Sequence, residues 1–326
     1  MTVLSAYQQL FQTALKDSLT SKGPMGLYDP IKYLLSLGGK RMRPVLTLMA
    51  AETFGKNQNE ALGAALAVEI FHNFTLMHDD VMDEAPLRRG APTVHQKWDV
   101  NTAVLSGDAM LIQAYQALET YSEPLYGKLT RLLSQTALEV CEGQQYDLDF
   151  ESQQEVTEAQ YLEMIRLKTA VLVGCALQMG AWIGGASDAD ARTLYEFGML
   201  LGTAFQIQDD YLDAFGDMKS FGKQLGGDII ENKKTILYHQ AMNKGIKEQK
   251  EKLHLWFSNP TSESDKGQKI DEVKVLFEES GSRIASLELV KKYTEKAFKK
   301  IEMLGISGEG KDLFIGFGLQ LMERKF

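Results

Sequence analysis

An all-α fold, one large bundle of about ten helices around a central cavity, is what the sequence predicts. Three observations predict it. Apolar residues recur at a helical period in segment after segment, only 7 prolines interrupt 326 residues, and the glycines fall mainly between the periodic segments.

The elements follow in order along the chain. Spacings of three and four predict helices near 4–20, 28–37 and 43–54, the last two parted by Gly38-Gly39 and an Arg-rich turn. A helix near 59–82 ends in an acidic cluster and is followed by Pro86 and Gly90. Helices near 100–121 and 124–149 come next, then 157–184 and 188–213 on either side of Gly184-Gly185. Gly226-Gly227 precede a helix near 233–244, and helices near 270–280 and 282–303 complete the series. The stretch Lys247 to Lys269 is highly charged, with Pro260 in its middle, and reads as a solvated loop or mobile helix end. No Ser/Gly run, low-complexity tract or solenoid repeat breaks the chain, so a single domain over 1–326 is expected.

Composition narrows the function. A formal charge of −9 argues against nucleic acid as partner, because binding a phosphate backbone needs a surplus of Lys and Arg. Any phosphate recognised here must be small. Cys141 and Cys175 lack metal-ligand spacing and read as reduced core residues, which suits a cytoplasmic protein. The N-terminal segment has helical spacing rather than a basic start and an uninterrupted apolar run, so no signal peptide is expected. The uncharged stretch from Ala170 to Gly185 falls short of the ~20 residues a membrane span needs and reads as a buried helix.

One short pattern occurs twice. Asp79, Asp80 and Asp83 lie at i, i+1 and i+4 after the run AALAVEIFHNFTLMH, and Asp209, Asp210 and Asp213 repeat that spacing after LLGTAFQIQ. At ~100° per residue, each trio covers about a quarter of a helix circumference. A single such cluster is as consistent with a solvated acidic face. Two of them at helix C-termini oppose the helix dipole and repel internally, so something cationic should offset them. Oxygen-only ligands suit Mg²⁺, which takes one or two carboxylates together with substrate phosphate. Two facing clusters are expected to hold several such ions around a diphosphate. Basic residues cluster as well: Lys40, Arg41 and Arg43 in GGKRMRP, Arg88-Arg89 just after the first trio, and Lys223 and Lys233-Lys234 after the second. Arg forks suit bidentate phosphate binding.

With these residues in view, the sequence resembles the trans-prenyltransferase (polyprenyl synthase) family of farnesyl and geranylgeranyl diphosphate synthases. The matching stretches run in order as GGKRMRP, HNFTLMHDDVMDEAPLRRG, GDAML, KTA, FQIQDDYLDAFGD and GKQLGGDIIENKKT. The resemblance implies an Mg²⁺-dependent transfer of an allylic group to isopentenyl diphosphate. By it, Lys40, Arg43, His72 and Arg89 bind isopentenyl diphosphate. Arg88, Lys168, Thr169, Gln206, Lys223 and Lys233 hold the allylic diphosphate, and Asp79, Asp83 and Asp209 are the magnesium ligands. Asp80, Asp210 and Asp213 are expected behind them or bridged to the metal through water, and the departing diphosphate is expected to take the final proton. It also implies a homodimer.

In this family a bulky residue one turn before the first aspartate limits product length, which points to Phe74 and Thr75. On an ideal helix Thr75 shares the face of Asp79 and Phe74 does not, so the role of Phe74 rests on resemblance. The pattern looks like a geranylgeranyl or farnesyl synthase. The rivals are a terpene cyclase, which lacks a second DDxxD and an isopentenyl site, and a regulatory subunit of a heteromeric prenyltransferase, which loses one or both acidic motifs. The C-terminal ERKF is a candidate to close over the co-substrate.

Overall fold

The computed structural model describes residues 3–19, 23–216, 225–259, 261–262 and 264–323. These are helical nearly throughout. Among the described residues the strands are one antiparallel hairpin, β1 (Leu87–Arg88) and β2 (Ala91–Pro92), with Leu87 opposite Pro92 and Arg88 opposite Ala91. The chain divides into two compact units. One comprises Met1–Thr136, Leu172–Tyr195 and Gly305–Ser307; the other comprises Ala137–Val171, Glu196–Leu304 and Gly308–Phe326.

The first unit is built on α1 (Val3–Ser18), α2 (Met25–Ser36), α3 (Met42–Thr53), α4 (Leu62–Met82), the short α5 (Val94–Lys97) and α6 (Val100–Gln116). Helix α4 packs along α6 and against α3, α1 and α2. Its inward positions Ala64, Ala65, Ala67, Val68 and Phe71 are fully buried. The alanines let the neighbouring helices approach, and Phe71 fills the space between them; a side chain of that size contributes about 1.5–3 kcal/mol when buried. The apolar face ends where the acidic trio begins, so the carboxylates stand on the last turn of a helix whose body is fixed. Asp99 starts α6, its carboxylate accepting bonds at 2.8 Å from both the amide and the hydroxyl of Thr102.

Residues 158–184 run as one helix: α8 (Glu158–Ile165), a π-helical turn (Arg166–Ala170) and α9 (Val171–Gly184). It is long and apolar enough to cross a membrane, but 78% of its apolar window is buried inside the protein. Glycine explains how α9 lies on α3: a Cβ at Gly180 would stand 2.2 Å from the Thr47 carbonyl oxygen, and one at Gly184 2.7 Å from that of Ala51. Only residues without side chains permit that approach.

The second unit takes the end of α7 (Leu125–Ser152), α8, most of α10 (Asp188–Phe215), α11 (Gly227–Ile230), α12 (Ile236–Lys244), α13 (Lys247–Ser258), α14 (Lys266–Glu279), α15 (Ser282–Glu302) and α16 (Gly308–Met322). One apolar cluster joins α8, α10, α12 and α15 through Tyr161, Ile165, Ala204, Ile207, Ile236 and Val290. Another joins α10 to α14 through Tyr211, Leu212, Leu237, Phe257, Val273 and Phe277. Helix α10 therefore has buried neighbours on two sides up to its acidic end.

Three expectations are corrected. Residues 247–258 and 266–269, expected within a solvated loop or mobile helix end, form α13 and the start of α14, anchored by the buried Leu253, Phe257 and Lys269. The apolar face of α13 is narrow and its charge is high, which hid it. Helix α16 was not expected, because four glycines dilute the helical signal of GEGKDLFIGFGLQLM. Cys141 is exposed, one position off the buried Val140 on α7, whereas Cys175 is buried as expected. The remaining helices lie within a few residues of their expected bounds.

Candidate active site

In the first unit the trio closes α4. The amide of Asp83 donates to the Asp79 carbonyl at 2.8 Å, the final bond of that turn. Asp79 and Asp83 keep contact with solvent, while Asp80 is 2% exposed. The hairpin supplies its partner: Arg88 Nε donates to the two oxygens of Asp80 at 2.9 and 2.8 Å, and Nη2 lies 2.7 Å from Oδ1. This fork neutralises a buried carboxylate and fixes the guanidinium beside the trio.

The basic motifs converge on the same helix. Arg41, 4% exposed and left-handed at φ 49°, pairs with the buried Glu69 and donates to the Leu35 carbonyl at 2.5 Å. Glu69 also accepts from Asn73 at 3.0 Å. Arg89 donates to the carbonyl of Gly38, and a Cβ at Gly39 would stand 2.9 Å from the Arg89 guanidinium carbon. Two motifs far apart in sequence are thereby joined. Lys40, exposed, has its carbonyl held by Gln8 at 3.2 Å. Burial, and then the positive charges of Arg43, Arg89, Arg88 and Arg41, hold the pKa of His72 well below the usual histidine value. Four arginine charges act on this one imidazole, two of them from side chains paired with Glu69 and Asp80, which makes this part of α4 a candidate to bind an anion.

Phe74 is 9% exposed and packs edge-on to His78, with ring centroids 4.8 Å apart, and beside Phe71 at 5.6 Å. His78 Nε2 is 3.1 Å from the Val104 carbonyl, and a Cβ at Gly107 would stand 2.2 Å from that nitrogen. Phe74 thus lies on the α6 side of α4. Thr75 donates to the His72 carbonyl at 2.8 Å.

In the second unit Asp209 is partly exposed, while Asp210 (6% exposed) and Asp213 (8%) are buried. A chain of bonds holds Asp210. Thr169 donates to Gln206 at 3.1 Å, Gln206 donates to Asp210 at 3.1 Å, and the Tyr161 hydroxyl donates to the other carboxylate oxygen. Burial pushes the Asp210 carboxyl up to about 7, against the pull of the Tyr161 and Gln206 bonds. Asp213 accepts from the Asp228 amide at 3.1 Å. Burial and the neighbouring Asp213 raise the Asp228 carboxyl well above its ordinary value.

Lys168 and Thr169 sit in the π-helical turn, a feature frequent at functional sites. Gly143 of α7 makes room for it: a Cβ there would be 2.3 Å from the Lys168 amide nitrogen. Lys168 pairs with Asp147 at 2.5 Å, and Lys233 with Glu231 at 2.8 Å. Lys234 donates instead to the Gln153 carbonyl at 2.7 Å. Lys223 lies outside the described residues, as does the chain beyond Glu323 on which a closing role was expected.

Each unit therefore brings an acidic trio together with basic residues. Among the described residues, no group of three or more His, Cys, Asp or Glu side chains stands ready to hold a metal alone. What the trios offer is one or two accessible carboxylates each, the donor set magnesium uses when phosphate oxygens complete its shell. Sequence reasoning missed Asp147, Tyr161 and Glu69. Nothing in their local sequence singles them out, since each acts through a partner that only folding brings close.

The family pattern of polyprenyl synthetase matches residues 24–273. The geranylgeranyl diphosphate synthase of Methanosarcina mazei is 44% identical over 236 residues, 72% of this chain and 73% of its own. The geranylgeranyl pyrophosphate synthase of Geoglobus acetivorans is 37% identical over 298 residues, covering 91% of this chain and 90% of its own. A crystal structure of a geranylgeranyl pyrophosphate synthase superposes with a TM-score of 0.96 at 51% identity, each chain covered in full. This chain belongs to the polyprenyl synthetase family. It is a prenyltransferase with the all-α fold of that family.

A pH dependence follows from the wall behind Asp210. His239, 5% exposed, stands 5.6 Å from the Tyr161 ring, and burial lowers its pKa to about 4, opposed by a backbone bond to Lys234. The unfolded chain, with an ordinary value near ~6.5, binds a proton that the folded chain refuses. The stabilisation is complete above that value and is lost as pH falls towards the folded pKa, an effect of about 3 kcal/mol. Thermal unfolding from pH 7 to 4.5 should fall less steeply in His239→Gln than in the parent. Equal slopes would place the acid sensitivity elsewhere.

Proposed function

We propose that the chain condenses an allylic diphosphate with isopentenyl diphosphate, head to tail, to give geranylgeranyl diphosphate, with the whole of 1–326 as one catalytic domain in the cytoplasm. The observation that carries this reading is the arginine field around His72, on the same helix as accessible carboxylates. An anionic co-substrate is recognised there by charge. The 44% identical relative named for that product supports its length.

Isopentenyl diphosphate is assigned to Lys40, Arg43, His72 and Arg89. His72, kept neutral, accepts or donates one hydrogen bond without opposing the guanidinium groups. The allylic diphosphate is assigned to Arg88, Lys168, Thr169, Gln206, Lys223 and Lys233. Lys168 and Lys233 are held by Asp147 and Glu231, so their ammonium groups are pre-positioned for the leaving diphosphate. Asp79, Asp83 and Asp209 would hold magnesium, which would supply Lewis-acid neutralisation of the diphosphate charge. The allylic carbon–oxygen bond then ionises, the isopentenyl double bond attacks the allylic cation, and the departing diphosphate removes the proton. Asp80, Asp210 and Asp213 position the residues around them and touch no substrate.

The apolar product grows against the side of α4 that carries Phe74. A homodimer is proposed as well: Val104, Leu105 and Ile112 form an apolar stripe on α6, 41%, 61% and 59% exposed, which a second copy would cover.

Chromatography of products from each allylic primer with labelled isopentenyl diphosphate tests the activity. A twenty-carbon diphosphate that requires both substrates is expected; a hydrocarbon formed without isopentenyl diphosphate means a cyclase, and turnover only beside a partner means a regulatory subunit. Phe74→Ala should lengthen the product, and an unchanged length removes Phe74 as the floor. Leu105→Glu should convert a sedimenting dimer to monomer; a parent that sediments as a monomer contradicts the dimer.

A further inference from the structure

Lys269 of α14 belongs to no motif considered so far, yet its side chain is fully buried. Burying a lysine is costly unless its ammonium is satisfied. Here it donates to Asn232 Oδ1 and to Thr261 Oγ1 at 2.9 Å, and it stands 5.4 Å from the centroid of the Phe257 ring. Among the described residues, no carboxylate pairs with it. Burial lowers its pKa to about 8.

The residue it grips explains the cost. Asn232 is left-handed at φ 59°, one of four non-glycine residues in that region among those described. Asparagine tolerates such a backbone better than most residues, but it needs an anchor to remain there. The next residue is Lys233. Its amide donates to the Asp228 carbonyl, and its carbonyl accepts from Thr235, both at 2.9 Å. The direction in which Lys233 leaves the chain is thus set by the turn at Asn232.

We propose that Lys269 is a positioning residue for the allylic diphosphate: by holding the Asn232 side chain from within the core, it fixes the left-handed turn that aims Lys233. The inference rests on the assignment of Lys233 to that diphosphate and goes beyond it, since Lys269 touches no substrate. It separates Lys269 from Lys234, which is bound to main-chain carbonyls.

The test measures KM for each substrate, with thermal unfolding, in four variants. Lys269→Met should raise KM for the allylic diphosphate about tenfold, the effect of roughly one lost charged hydrogen bond, and leave KM for isopentenyl diphosphate unchanged. Asn232→Gly, which adopts the turn without an anchor, should restore the allylic KM when combined with Lys269→Met. Asn232→Ala, which removes the same bond but keeps Lys269 and its bond to Thr261, should raise it on its own even if Lys269→Met fails to fold. Lys233→Ala is the control. A raised allylic KM in Lys233→Ala beside unchanged values in Lys269→Met or Asn232→Ala overturns the inference alone. An unchanged value in Lys233→Ala overturns the assignment of Lys233 and the inference with it. Equal effects on both substrates, or a loss of stability with no change in KM, reduce Lys269 to a structural role.

Discussion

Three carboxylates crowded onto the last turn of a helix repel one another and oppose the helix dipole, and the protein has to relieve that strain. Both trios use a common device, and the second buries Asp213 as well. The middle aspartate is withdrawn from solvent and bonded to protein: Asp80 to the Arg88 fork, Asp210 to Tyr161 and Gln206. Its neighbours Asp79, Asp83 and Asp209 stay accessible. The buried carboxylates, Asp80 in the first trio and Asp210 with Asp213 in the second, thus become internal struts that fix the helix ends, and the charge that remains outside is what a cation can use.

The same economy governs the basic side. Glu69 compensates Arg41 inside the first unit, and Asp147 and Glu231 compensate Lys168 and Lys233 in the second. Of the left-handed residues Arg41, Glu84, Arg89 and Asn232, Arg89 is itself assigned, Arg41 and Asn232 adjoin Lys40 and Lys233, and Glu84 follows the carboxylate Asp83. Backbone strain of that kind persists only where surrounding bonds over-determine it. Here those bonds are the Glu69 pair, the Gly38 carbonyl and the buried Lys269.

Much of this was legible in the sequence, and the limits are physical. The i, i+1, i+4 spacing of the aspartates names a helix face because helical period is local, and GGKRMRP stands out because arginine is dense there. The long helices α4, α7 and α10 were readable for the same reason. Asp147 and Tyr161 were not, since their importance lies in partners 21 and 49 residues away. The π-helical turn leaves no compositional trace, although Gly143, which makes room for it, was in plain sight as an ordinary helix glycine. Helix α13 was hidden by its charge, and with it the reason for a lysine in the core.

The central claim is that within each trio one carboxylate serves the fold while an accessible one serves the cation. Its most direct measurement is magnesium-dependent binding of an unreactive allylic thiolodiphosphate by calorimetry, with unfolding temperature recorded for the same proteins. In Asp79→Asn and Asp209→Asn the affinity gained on adding magnesium should fall by about tenfold or more with the unfolding temperature maintained, whereas Asp80→Asn and Asp210→Asn should lower the unfolding temperature. Full magnesium-dependent affinity in Asp79→Asn and Asp209→Asn would contradict the account.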